Sequence, residues 1–172
     1  FGWLREAGYT VPGAVETRLL GYLDALLRRD TVPDFYSQGM TATVRAVALA
    51  ALAQRGRLGL ADLERYRSHV ERMTLFGKAH YLAAALGVDG ADAIAESVLD
   101  TLLAAGDRTS GSVAFNETLD GSHARMLATP VRSNCAILSA FAAAEPPGAG
   151  LDLDELATDL ARFITRSRGA RD

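Results

Sequence analysis

One cysteine, Cys135, serves the whole 172-residue chain. An intrachain disulfide is therefore excluded, and with it the small stapled scaffolds that depend on one. Lys78 is the only lysine among 18 basic residues, a bias toward Arg that reads as the codon preference of a GC-rich genome. His69, His80 and His123 stand far apart, with no His-x-x-x-His or Glu partner at metal-ligand spacing. Gly-x-Ser-x-Gly, Ser-x-x-Lys and a phosphate-cradling Gly-Lys-Thr/Ser run are absent too. No stretch approaches the ~18 uninterrupted apolar residues of a membrane span, and the first residues do not have the pattern of a signal peptide. A formal charge of −3 gives no reason to expect a nucleic-acid or anionic-membrane partner, since such binding needs concentrated Lys and Arg.

What the chain does have is an alternation between two kinds of helix. Ala-rich segments with almost no charge run over about 39–54, 75–86 and 131–144. Each follows an ordinary amphipathic segment, at about 15–29, 60–72 and 92–104, and a further amphipathic stretch covers 153–168. A helix that is apolar nearly all round must be covered on every side, whereas one with a single apolar stripe can face water. The pattern predicts an inner layer wrapped by an outer one: an all-α fold, a partial α/α toroid of about seven helices in one domain spanning 1–172.

Punctuation supports the helix boundaries. Tyr9-Thr-Val-Pro-Gly13 separates the first two helices, Thr31-Val-Pro-Asp34 ends the second, and Gly56 and Gly59 bracket the next connection. Gly87 and Gly90 end the second Ala-rich helix, with Asp89 or Asp92 as the expected cap of the one after it. Pro130 opens the last Ala-rich helix and Glu145-Pro-Pro-Gly148 closes it. Between them, 106–129 does not read as helix. Ser112-Val-Ala-Phe-Asn-Glu-Thr118, a turn at Asp120-Gly121, and His123-Ala-Arg-Met-Leu-Ala128 predict a β-hairpin inserted at about 110–128. The opening Phe1-Gly-Trp-Leu and the close at Arg168-Gly-Ala-Arg-Asp172 read as the ends of a fragment of a larger protein.

Candidate chemistry is sparse. His80, on an inner helix beside Tyr81, is expected as a buried, hydrogen-bonded histidine, and His69 and His123 as exposed ones. Cys135 is expected buried and inert within its apolar helix. Asp152, Asp154 and Glu155 sit at a helix start, where capping and the helix dipole explain them. Phe1, Trp3, Tyr9, Phe35 and Tyr36 read as inter-helix filler. No catalytic, cofactor-binding or metal-ligating residue is assigned, and no cofactor is expected.

In order and texture the chain resembles the helical thioester-type domain of bacterial α2-macroglobulins. The stretches that carry the resemblance are Gly77-Lys-Ala-His-Tyr-Leu-Ala-Ala-Ala-Leu-Gly87, Ser112-Val-Ala-Phe115, Asp120-Gly-Ser122 and Thr129-Pro-Val-Arg-Ser-Asn-Cys-Ala-Ile-Leu-Ser-Ala-Phe-Ala-Ala-Ala-Glu-Pro146. Glu6-Ala-Gly-Tyr-Thr-Val-Pro12 and Met40-Thr-Ala-Thr-Val-Arg-Ala-Val-Ala-Leu-Ala-Ala-Leu-Ala53 are also similar. The motifs are short, and the family's Cys-x-Glu-Gln thioester motif is absent: Cys135 is followed by Ala136-Ile-Leu138. In the family that motif lies N-terminal to the matched region. The resemblance implies a non-enzymatic part of a broad-spectrum protease inhibitor, a conformational trap that collapses around a peptidase once its bait is cut. It further implies neighbouring domains of the same parent chain and the target proteases as partners, and a periplasmic or cell-envelope location.

Two other classes are compatible with the residues. A helical-repeat protein-binding scaffold would show a polar concave groove. An α/α-toroid enzyme, such as a terpene cyclase or polysaccharide hydrolase, would need convergent carboxylates or a metal cluster at its centre. The inner helices offer only Arg45, Lys78, His80 and Arg132 as ionisable groups.

Overall fold

A computed structural model describes residues 2–29, 32–109, 112–144 and 152–169. Its helices are α1 (Gly2–Glu6), α2 (Gly13–Arg29), α3 (Gln38–Ala53), α4 (Leu60–Tyr66), α5 (Leu75–Leu86), α6 (Asp92–Ala104), α7 (Pro130–Ala143) and α8 (Leu153–Gly169). Helix α4 tightens into a 3-10 segment over Arg67–Arg72, and a second 3-10 segment spans Gly121–Met126. The fold is all-α apart from two short strands, β1 (Gly106–Thr109) and β2 (Ser112–Phe115).

The three Ala-rich helices start the same way. Ser37, Thr74 and Thr129 each accept a hydrogen bond at 3.2 Å from the backbone N–H three residues on, which satisfies one orphan donor per helix. Pro130 occupies the first turn of α7, where its missing N–H costs nothing. Helix α6 differs from expectation, because neither Asp89 nor Asp92 caps it. Its N-cap is Ala91, and Asp92 lies in the first turn, where a negative charge still suits the helix dipole.

Contacts at both ends show that α3, α5 and α7 run in the same direction. At one end, the Thr43 and Thr74 hydroxyls are 3.1 Å apart, and Arg132 and Ser133 line a small cavity with them. At the other end Gly87 faces Ala53, and Leu82, Leu86, Ala143 and Ala144 line one groove. The small residues permit this closeness: a Cβ on Gly77 would come within 2.9 Å of Thr43 Oγ1. Leu49, Leu52, Leu82 and Ile137 are almost fully buried in this row, and burying each stabilises the fold by about 1.5–3 kcal/mol.

Amphipathic helices cover the row. Helix α6 turns Ile94, Ala95, Val98, Leu99 and Leu102 inward against α5. Helix α8 lays Leu153, Leu156, Leu160 and Ile164 on α7 and β2. Helix α2 packs on α3 and is tied to α4 by the Tyr66 hydroxyl, which donates to the Leu27 carbonyl at 2.6 Å. Ion pairs from Arg5 and Arg55 to Glu16 join α1, α2 and the end of α3.

The hairpin is present but sits earlier than the sequence predicts. Gly106–Thr109 pairs antiparallel with Ser112–Phe115, placing Gly106 opposite Phe115. The stretch expected as its second strand is the 3-10 segment Gly121–Met126, entered by a bond from His123 N–H to Asp120 C=O. Strand β1, Gly-Asp-Arg-Thr, is nearly all exposed and so lacks the apolar alternation by which a strand is recognised. Within β2, Val113 and Phe115 are buried, and Phe115 meets the Phe141 ring edge-on at 5.7 Å. The expected helix stops at Thr31 and at 145–148 lie outside the described residues.

Candidate functional site

The chain between β2 and α7, 116–129, runs as a strap over the end of the molecule where α3, α5 and α7 begin. Three helix N-termini meeting at one end make it electropositive through their aligned backbone dipoles. The strap brings Glu117 there. One of its carboxylate oxygens, Oε2, accepts from the N–H of Leu75, the first residue of α5, at 2.8 Å. Its other oxygen, Oε1, is buried and accepts no hydrogen bond. Burial pushes the Glu117 carboxyl above the usual range, against the opposing pull of the Leu75 N–H, His123 and Lys78.

His123 follows six residues later and is only 7 % exposed, which corrects the expectation of a surface histidine. Its Nδ1 lies 3.2 Å from Asp120 Oδ1 but is not aligned for a hydrogen bond. Glu117 and His123 share the lining of a cavity of about 10 Å³ with Thr43, Thr74, Arg132 and Ser133. That is about the room one water occupies.

Arg132 and His80 complete the cluster around Phe76. The Arg132 guanidinium lies 3.7 Å above the Phe76 ring and donates to the Met126 carbonyl. His80 meets the same ring edge-on at 4.4 Å. Burial, reinforced by the Arg132 charge, lowers His80 to about 4, so at neutral pH it is an uncharged packing group. Behind the strap, Asn134 Oδ1 accepts from Phe115 N–H at 2.9 Å, and Nδ2 donates to the Phe115 and Pro130 carbonyls at 2.9 and 2.8 Å.

The other candidates scatter. His69 is half-buried with its ring against Tyr66 at 5.4 Å, and Arg45 lies buried over the same ring. Cys135 is exposed on the outer side of α7, a correction of the buried expectation: its helix is apolar in composition, but this position faces away from the core. Tyr9 and Phe35, expected as filler, are 65 % and 54 % exposed. The side chains of Phe1 and Trp3 lie outside the described residues. Asp152 does cap α8, accepting from Glu155 N–H at 2.9 Å.

Inspection of the inner helices alone misses Glu117, because the strap carries it. The signal is the alternation Val113, Phe115, Glu117, Leu119, in which a carboxylate occupies an inward position beyond the end of the strand. Among the described residues, no three His, Cys, Asp or Glu side chains are grouped to hold a metal, and no helix is long and apolar enough to cross a membrane. The chain matches no family model, no curated protein and no solved structure.

Proposed function

We propose that this chain is a non-enzymatic helical domain of an α2-macroglobulin-like broad-spectrum protease inhibitor of the bacterial periplasm or cell envelope. One observation supports the reading most: the separate stretches that carry the resemblance converge in space. Phe76, next to Gly77-Lys-Ala-His80, lies under Arg132 of Thr129-Pro-Val-Arg-Ser-Asn134. Asn134 of that stretch holds Phe115 of Ser112-Val-Ala-Phe115. Short similarities that pack into one unit are what a shared domain requires.

In this reading the inner row α3, α5, α7 and the outer helices form part of an α/α toroid, and the domain works through its packing faces. Val15, Leu19 and Tyr22 of α2, with Leu4 and Tyr9 before it, form an exposed apolar face of the kind a neighbouring domain of the parent chain covers. The chain needs no cofactor for this role, and target proteases meet the parent rather than this domain alone.

The test is made on the full parent polypeptide. After incubation with an endopeptidase, a trap leaves the enzyme active on a small chromogenic peptide while excluding a large protein substrate. Equal inhibition of both substrates, or of neither, overturns the reading. The mass change on methylamine treatment then shows whether the parent carries a thioester.

A second reading, a helical-repeat protein-binding scaffold, draws on the groove of about 530 Å³ between the Arg67–Arg72 segment and α6. Ser68, Ser97 and Thr101 line its rim and Ile94 and Val98 its floor.

A further inference from the structure

Helix α6 differs from the other outer helices in its charges. Between Lys78 and Arg108 the sequence has no basic residue, and its acids there are Asp89, Asp92, Glu96, Asp100 and Asp107. Asp92, Glu96 and Asp100 recur at every fourth position of α6 and are exposed, so they form one stripe with a spacing of about 6 Å along the axis. Elsewhere the acids of the helical surface are matched: Glu16 pairs with Arg5 and Arg55, Asp24 with Arg57, Glu64 with Arg67 and Asp159 with Arg162. Among the described residues, no ion pair reaches Asp92, Glu96 or Asp100. Like charges four residues apart destabilise a helix. Only Asp92, in the first turn, is favoured by the helix dipole. The stripe as a whole does not help α6 to fold.

An apolar groove of about 430 Å³ runs beside it. Leu82 and Leu86 of α5, Leu99 of α6 and Ala143 of α7 line the groove together with Asp92 and Glu96. Leu86 is 38 % exposed there, a large apolar side chain left in water. The groove lies at the end of the molecule where α5 and α7 terminate, so the negative ends of two helix dipoles add to the carboxylates. Its size is that of a binding cleft, and its surface asks for apolar side chains accompanied by cations.

We propose that the groove between α6 and the ends of α5 and α7 binds a basic amphipathic helix of a partner protein, whose apolar side chains seat on Leu82, Leu86 and Leu99 while its Arg or Lys side chains meet Asp92, Glu96 and Asp100.

The spacing fits such an occupant. A helix that carries cations at every fourth position presents them at the same interval as the acids of α6, and its apolar positions three and four residues apart fall on the adjoining face. Docking turns the mutual repulsion of the three carboxylates into attraction for the partner. The same field repels acidic segments and anionic surfaces, which gives the groove its selectivity. The groove binds in this way whether or not the parent protein is a protease trap.

The probe is a labelled synthetic helix of about 18 residues, long enough to be helical in water, with Leu along one face and Arg along the other. Its counterpart carries Glu in place of every Arg. Fluorescence anisotropy on the chain is expected to show binding of the Arg peptide and none of the Glu peptide, with affinity that falls between about 50 mM and about 300 mM salt as the charges are screened. Glu96→Gln/Asp100→Asn is expected to weaken the Arg peptide by about tenfold, and Leu86→Ala by several-fold. Glu71→Gln, on the separate groove at the other side of α6, leaves it unchanged. The charge variant is expected to melt no lower than wild type, which separates lost binding from lost folding. Failure of the Arg peptide to bind, equal binding of both peptides, or an affinity that responds to Glu71→Gln as much as to Glu96→Gln/Asp100→Asn overturns the proposal. Sedimentation that shows the chain pairing with itself, and losing that pairing in Leu86→Ala, assigns the groove to a second copy and overturns it too. The comparison of the two peptides on the wild-type chain decides even if a variant fails to fold.

Discussion

The carboxamide of Asn134 bonds to Phe115 as the next strand of a sheet would, accepting from its N–H and donating to its carbonyl, both at 2.9 Å. A helix side chain thus completes the free edge of β2 and anchors the strap that follows. Asn134 is fully buried, so no water can replace it. Asn134→Ala leaves the Phe115 backbone groups unpaired and is expected to cost about 3 kcal/mol. Asn134→Asp costs more, because it adds a buried charge and loses both donors. Urea unfolding at neutral pH measures the two.

Gly77 and Gly21 predict opposite effects of one substitution. Gly77→Ala places a Cβ 2.9 Å from Thr43 Oγ1 and 3.1 Å from Thr43 Cα, forcing α3 and α5 apart at an expected cost of about 1–3 kcal/mol. Gly21, inside α2, has open space where its Cβ would be. Gly21→Ala is expected to stabilise by about 0.5–1 kcal/mol, through backbone entropy and helix propensity. Thermal melts of the two variants differ in the sign of their shift.

His80 sets an acid limit on stability. Its folded value is near 4, below the ordinary 6.5, so the unfolded chain binds the proton first. The stability it contributes is complete above pH 6.5 and is lost as pH falls from there toward 4, amounting to roughly 3 kcal/mol. His80→Gln removes that loss. Denaturant titrations at pH 7.5 and 4.5 are expected to show a smaller acid-induced drop in the variant than in the wild type.

Tyr81 sets the alkaline limit. Its hydroxyl donates to the Leu63 carbonyl at 2.6 Å, and burial raises it to about 12. The neutral phenol is favoured in the folded state, so stability is lost as pH rises from 10 toward 12. Tyr81→Phe is expected to cost about 1–2 kcal/mol at neutral pH by orphaning that carbonyl, while melts above pH 10 become less sensitive to alkali.

Cys135 is the chain's single thiol and is exposed. A thiol reagent is expected to titrate one group per native chain, at a rate little changed by denaturant. A native thiol that reacts only after unfolding contradicts this placement.

Much of the helical architecture is legible in the sequence, because the helix period is local. The α5 and α6 boundaries match the expected 75–86 and 92–104, and the other long helices begin within about two residues of their expected starts, the usual uncertainty of helix ends. Composition also identifies the Ala-rich helices as the crowded ones. The candidate cluster is much less legible. Glu117 and His123 lie on the strap and Arg132 on α7, and only the path of the strap makes neighbours of them. His123 follows an Asp-Gly pair that reads as an exposed hairpin turn, yet the same residues form a 3-10 segment that turns the ring inward.

By itself, the sequence determined which segments are helices and which of them must be covered, since side-chain period and Ala content act over a few residues at a time. Tertiary structure alone decided the partner of β2, the burial of His123, the exposure of Cys135 and the inward turn of Glu117. Each depends on contacts between residues far apart in the chain, where one packed arrangement overrides local preference because it buries more apolar surface and leaves fewer polar groups unpaired.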